Sequence, residues 1–375
     1  MSISLPTAMD TFWTWSAPLA STSIENPTRY CQVNPHVPAL RVFFDDSCDL
    51  RPDYRLSRET LNNLFHHLRD QYDHGWGLEI EILVFVFWLA SATSYRVVSR
   101  AFDIPRSTVN DIIHRVAHKI KSLESQIIHL PSVDNLEEIG LGFAQLAGSQ
   151  AFRIAVGAID GCQVRIKPPT EDANCYLNRK LFYSIQLQAV CDHKSRFIDI
   201  YVGWPGSVHD SRVLKNSPIF TQRAYPPDGC CILGDGGYPC ISKPIALMTP
   251  YREPVRDPVR ARFNHRHSKA RNIIERSFGM MKTRWRTIFF KALEVKPSFA
   301  HTVVTCCAIL HNLCITSGDI LEPEQIALRP DDNDDAPEYE LADVQDGDRL
   351  RDRLAASVSA PVAPVAVLMD HDYDV

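Results

Sequence analysis

From residue 56 to about 130 the apolar positions recur every three or four residues, the spacing of amphipathic helices. Within this region SYRVVSRAFDIPRSTVNDIIHRVAHKI (94–120) divides into two helices around a short break. Val97, Val98 and Phe102 form the predicted inner face of the first. Pro105 interrupts the pattern, and Ser107 or Thr108 can cap the second helix. Val109, Ile112, Ile113, Val116 and Ile120 then repeat at helical spacing, leaving Arg106, Asn110, His114 and Arg115 outward or at the edge. This is the layout of a helix-turn-helix, whose second helix can enter a major groove and offer Arg106, Asn110 and His114 to DNA. Two helices packed in a bundle give the same pattern.

Beyond a loop at 131–150 the period shortens to that of strands. FRIAVGAID (152–160) and CQVRI (162–166) come first. YSIQLQAVCD (183–192) and RFIDIYVGW (196–204) then form a hairpin around His193, Lys194 and Ser195. A helix is predicted over 208–217, and CILGD (231–235) is a short apolar strand. A Pro- and Arg-rich stretch (239–267) precedes long helices predicted at 268–290 and 298–316. The class is α/β. Residues 1–40, rich in Ser, Thr and Pro without periodicity, read as a flexible arm ahead of a helical region at 41–135. Residues 317–375, acidic and then rich in Ala, Val and Pro, read as a disordered tail.

The 375 residues are 45% hydrophobic and 23% charged, as in a folded soluble protein. A net charge of -5 argues against a nucleic-acid partner until its distribution is read. Tyr251 to Lys296 holds thirteen Lys or Arg against four acids, whereas Asp319 to Asp348 holds twelve acids and one Arg. The 11 cysteines are scattered and include no CxxC pair, which fits a reducing compartment better than a disulfide framework or a zinc ribbon. The amino terminus lacks the basic and apolar regions of a signal peptide. The strongest apolar run, ILVFVFWLA (82–90), is shorter than the roughly 20 residues a bilayer needs. These features predict a soluble intracellular protein.

Two apolar strands end in Asp-Gly: AIDG at Asp160 and LGDGGY at Asp235. Such strands deliver carboxylates to the edge of a sheet where catalytic groups of open α/β folds collect, and the glycine permits close approach. A lone Asp-Gly is ordinary turn chemistry; two of them, each closing an apolar strand, point to a site. Asp210, in PGSVHDSRV, lies near a helix start, where capping is the simple alternative. Asp192 is a turn former. Glu275 lies just off an apolar helical stripe of Ile274, Phe278, Met281, Trp285 and Ile288, with Arg271, Lys282 and Arg286 on the same edge. A salt bridge to Arg271 explains Glu275 adequately but leaves the surrounding cations without an anion partner. Acids converging on divalent cations (Mg²⁺ or Mn²⁺), with Arg271, Lys282 and Arg286 receiving phosphates, would account for all these residues.

The ordered stretches AIDGCQVRIKPP, CDHKSRFIDIYVGWPGSVHDSRVL, LGDGGYP, LMTPYREP, FNHRHSKARNIIERSFGMMKTRWR and CCAILHNLC resemble the Harbinger transposase-derived nucleases, over residues 150–316. The order of acids resembles the RNase H-like, mixed-sheet core of DDE transposases. The resemblance implies a metal-dependent DNA endonuclease with Asp160, Asp235 and Glu275 as catalytic triad and metal ligands, and Asp210 as a further ligand. It also implies a separate Myb-like DNA-binding partner protein, with residence in the nucleus beside a cytoplasmic pool. The chain carries GDGGY where the family often has GDSGY and GCQ where GTH is common; neither change touches a carboxylate. The competing expectation is a domesticated DNA-binding or adaptor protein that no longer cuts.

Overall fold

The structure, a computed structural model, describes residues 37–69, 75–91, 93–321 and 341–360. Residues 1–36 of the predicted arm, and 322–340 and 361–375 of the predicted tail, lie outside the described residues.

Helices α1 (Arg58–Leu68), α2 (Leu78–Ser91), α3 (Tyr95–Phe102) and α4 (Arg106–Lys121) make up the helical region. The apolar run at 82–90 is buried all round as part of α2, as expected of a helix with no polar face. Its one buried acid, Glu81, accepts from Arg115 Nη2 at 2.7 Å and Nε at 3.0 Å, so Arg115 turns inward from α4. In α3, Val98 and Phe102 are buried while Val97 is 46% exposed, about 100° round the helix from Val98. Pro105 itself occupies the N-cap of α4, so neither Ser107 nor Thr108 caps the helix as predicted; both lie within its first turn.

The stretch at 131–150, predicted as a loop, holds helix α5 (Leu136–Ala147); after it come strands β1 (Ala155–Arg165), β2 (Ser184–Cys191) and β3 (Phe197–Pro205), then α6 (Asp210–Asn216), β4 (Cys231–Leu233) and β5 (Leu247–Met248). The sheet order is β3-β2-β1-β4-β5; the first three strands are antiparallel neighbours, and β4 and β5 run parallel to β1. This mixed five-stranded sheet is consistent with an RNase H-like core. The two strands predicted at 152–160 and 162–166 merge into β1, because Gly161 keeps its place in the ladder opposite Gln188, while residues 150–154 ahead of it form a short 3-10 turn. Every residue of β2 is buried, as for a strand covered on both faces. In the turn after it, the Asp192 carboxylate accepts from the amides of Lys194 and Arg196 at 2.8 and 2.9 Å.

Helix α7 (Pro258–Arg284) starts well before residue 268. Proline is favoured in a helix's first turn, and the Asp257 carboxylate accepts from the Val259 amide there at 3.0 Å. It stops at Trp285, so the predicted helix at 268–290 is two, the second being Arg286–Phe290. Helix α8 (Pro297–Thr316) is long and apolar enough to cross a bilayer, yet 83% of its apolar window is buried. Cys306 on α8 donates its thiol to the Ala117 carbonyl at 3.3 Å, and one hydrophobic cluster runs from the helical region through the sheet.

The expectation of a disordered tail needs correction. Asp319 is only 2% exposed, held by Arg51, Ser57, Thr60 and Arg284. Residues Leu341–Ser359 form helix α9, which docks beside α7 and the 239–257 segment. Tyr251 donates its hydroxyl to Asp352 at 2.7 Å, and Arg262 donates to Ser359 Oγ at 3.1 Å. A Cβ on Gly347 would come within 2.3 Å of the Cys240 carbonyl oxygen, so glycine is what allows this approach.

Candidate active site

Parallel pairing of β1 and β4 sets Ala158 opposite Leu233. Asp160, midway along β1, and Asp235, just past the end of β4, each follow two residues later, so the two acids stand side by side, roughly one strand spacing of ~4.8 Å apart. The Asp160 carboxylate accepts from the Gly161 amide at 2.7 Å, and Asp235 accepts from the Gly237 amide at 3.0 Å. The Asp160 side chain is 14% exposed. Its carboxyl is pushed well above the ordinary carboxylate range by burial first and by Asp235 next; Arg271 opposes this and Asp210 adds to it.

Helix α7 runs past this edge and contributes Arg271 and Glu275, one turn apart. Arg271 Nη1 donates to Asp160 Oδ2 at 3.5 Å, and Nη2 donates to Glu275 Oε1. Glu275 is thus the salt-bridge partner expected from helical spacing, joined to Asp160 only through one guanidinium. Arg271 is 16% exposed and committed to carboxylates, which differs from the open phosphate contact expected of it.

Asp210, the first residue of α6, comes from the other side of the sheet. Register pairs Gly161 with Gln188 and Gln163 with Gln186, so these four share the face opposite Asp160. Gln186 donates its side-chain amide to Asp210 Oδ1. A Cβ on Gly161 would lie 2.3 Å from that same Oδ1, so the glycine after Asp160 is what admits Asp210. Gln186 and Gln188 are buried, with Gln186 Oε1 and both Gln188 amide atoms lacking a partner among the described residues. Sequence reasoning missed both; polar residues at alternate positions of an otherwise apolar strand were the available signal.

Tyr238 was also missed, although it closes the GDGGY motif. It is 3% exposed, its hydroxyl has no hydrogen-bond partner among the described residues, and it sits among the acids. Burial, then Asp210, Asp160 and Asp235, push its phenol well above the ordinary value, so it remains a neutral donor beside them.

The other predicted contacts are dispersed. Lys282 is half-buried with its ammonium 5.9 Å from the Phe278 ring centre, and Arg286 is exposed beyond the α7 break. On α4, Arg106 is exposed and Asn110 is half-buried, donating to Asp111 at 3.2 Å. His114 faces α8, its ring 3.8 Å from that of Phe299, and burial and His118 lower its pKa.

Among the described residues no three His, Cys, Asp or Glu side chains are drawn together as a ready-made metal-ligand set. The donor chemistry nevertheless fits a hard divalent cation. Asp160, Asp235 and Glu275 supply carboxylate oxygens, and Asp160 is raised by burial first and by Asp235 next, a cost that a bound cation would relieve.

A family described as DDE superfamily endonuclease matches residues 159–312. "Protein ALP1-like" of Arabidopsis thaliana is 30% identical, over 71% of this chain and 68% of its own length. Proteins named "Putative nuclease HARBI1" are 26% identical in Rattus norvegicus, over 64% of this chain and 68% of the relative, and 26% identical in Homo sapiens, over 74% and 78%. No solved structure matches. The matched stretch begins one residue before Asp160 and extends past Glu275, and with the extent of the Arabidopsis match it means that the chain belongs to the Harbinger transposase-derived DDE superfamily endonucleases.

Proposed function

We propose that the chain is a metal-dependent DNA endonuclease of transposase origin. The observation that carries this reading is the pair Asp160 and Asp235, side by side on neighbouring inner strands, with burial and mutual repulsion raising Asp160. Asp160, Asp235 and Glu275 would hold divalent metal, Mg²⁺ or Mn²⁺, with Asp210 as a further ligand. Two such ions would activate the attacking water and stabilise the leaving oxygen of a phosphodiester displacement. The chain's own residues prepare that site. The Gly161 and Gly237 amides orient the two aspartates, and Arg271 balances their charge. Neutral Tyr238 adds a hydroxyl beside them.

Lys282, Arg286 and the outward Arg106 and Asn110 are the proposed DNA contacts; His114, stacked on Phe299, would position α4 against α8. A DNA substrate implies nuclear residence, and a Myb-like partner would supply the site recognition this chain alone need not carry.

A supercoiled plasmid incubated with Mn²⁺ tests the reading. The parent should nick it, whereas Asp160→Ala and Asp235→Asn should lose nicking and keep salt-sensitive DNA binding. Equal cutting by parent and variants would refute the assignment. A second reading, a domesticated protein that binds without cutting, is favoured by one observation: Arg271 already spans Asp160 and Glu275. On that reading calorimetry would detect no Mn²⁺ binding dependent on Asp160 and Asp235.

A further inference from the structure

Next to the acid cluster lies an open cavity of about 680 Å³ that the sequence reading assigned to nothing. Gly236 and Tyr238, from the turn that follows Asp235, are part of its lining, so the cavity borders that turn. Tyr251 lies further along, with the guanidinium of Arg260 4.8 Å and that of Arg351 4.3 Å from its ring centre. Both rings of contact draw on elements distant in sequence. Arg260 comes from the start of α7, and Arg351 from α9, where it also donates to the Pro250 carbonyl at 3.3 Å.

The charge balance of this cavity is cationic. Arg252, Arg256, Arg260 and Arg351 line it against Asp257 and Asp348. Asp257 lies 3.7 Å from Arg260, and Asp348 accepts from Arg351, so each acid already has a cation of its own. Arg252 and Arg256, exposed residues of the 249–257 segment, line the same cavity as the pair on Tyr251. Nearby Glu253 is occupied by the Val255 amide at 2.9 Å and by Asn264 at 3.3 Å. Among the described residues Arg252 and Arg256 have no ion-pair partner, so the groove offers two guanidinium groups close to the turn that carries Asp235.

We infer that this groove holds the phosphodiester backbone of the DNA flanking the scissile bond, with Arg252 and Arg256 taking phosphates and α9 forming its outer wall. The inference rests on the endonuclease reading and deepens it. Guanidinium groups suit phosphate because their planar donors engage its oxygens in pairs. Arg260 and Arg351, stacked on Tyr251, build the groove rather than contact the strand first. On this view α9 belongs to the substrate channel, although it lies in a stretch whose composition suggested an unstructured tail.

Fluorescence anisotropy with a labelled duplex, without divalent metal and across a salt series, tests this. Each lost phosphate contact flattens the dependence of log affinity on log salt by about 0.9. Arg252→Ser combined with Arg256→Ser should therefore reduce the slope by about 1.8, equivalent to a contribution that itself changes roughly 12-fold between 50 and 200 mM salt. The thermal melt should be unchanged, because both residues are exposed. Arg153→Ser combined with Arg223→Ser removes two exposed arginines that do not line the groove, and should leave the slope as it is. A steep parental slope that the groove variant retains, or that both double variants flatten equally, would overturn the groove assignment and leave the endonuclease reading intact. A parent with no salt-dependent DNA affinity would overturn both.

Discussion

Replacing Asp319 by alanine removes the centre of a buried charge network that ties the end of α8 to the helical region. Its carboxylate accepts from the Ser57 amide at 2.7 Å, Arg51 Nε at 3.0 Å, and Thr60 Oγ1 and Arg284 Nη1 at 3.2 Å each. The Arg284 side chain is only 4% exposed, so the variant leaves a buried guanidinium with carbonyl partners but without its counter-charge. Breaking a buried pair from one side costs about 3–5 kcal/mol. At roughly 2 °C per kcal/mol for a large chain, the melting temperature should fall by about 6–10 °C. Asp319→Asn keeps an acceptor for the Ser57 amide and should fall between parent and alanine variant. Adding Arg284→Met to Asp319→Ala removes the stranded charge and should recover part of the loss. Burial pushes the Asp319 carboxyl up, but Arg284, the Ser57 amide and Arg51 outweigh it and hold it below the ordinary value. Its contribution is therefore present above the ordinary carboxylate pKa and lost as pH falls through the lowered one. Urea melts at neutral and acid pH would measure both effects. An alanine variant within about 0.5 kcal/mol of the parent at neutral pH would class Asp319 with solvated surface acids and refute the network.

Two further outcomes follow from single contacts. Gly161→Ala should destabilise the fold by ~1–3 kcal/mol and impair nicking, because its Cβ meets Asp210; Asp210→Ser in the same chain should recover stability without recovering cleavage, and full additivity in that cycle would exclude the contact. Asp199, raised from 3.8 to about 6 by burial and then by Glu124, has an acceptor oxygen with no partner among the described residues. Its folded form holds a proton that the unfolded chain has released, so stability falls as pH rises from about 4 to about 6 and stays lower above that. Asp199→Asn should accordingly raise the melting temperature at pH 7.5, by a free energy on the order of 2–3 kcal/mol, and change it little near pH 4; a difference between parent and variant that does not vary with pH would contradict this.

Local patterns in the chain determined a good deal. Helical spacing over 94–120 marks α3 and α4, because an apolar stripe at that period has one way to reach a core. Alternation and the turn at Asp192 mark the β2–β3 hairpin, and the two Asp-Gly pairs in apolar runs mark Asp160 and Asp235, although β1 does not end at Asp160 but runs on to Arg165. Periodicity carries no record of partners, which is where it failed. It could not show that His114 meets Phe299, that Arg115 turns to Glu81, or that Arg271 spends its charge on Asp160 and Glu275. Nor could composition reveal that Asp319 is buried and that α9 docks on the fold, since acidic runs are solvated unless a distant cation or groove receives them. The adjacency of Asp160 and Asp235, and the gathering of Tyr238, Asp210 and the glutamines of β2 around them, come from strand order and register. Residue type and spacing nominated the acids, because those are local properties; only long-range pairing could decide which of them share a field.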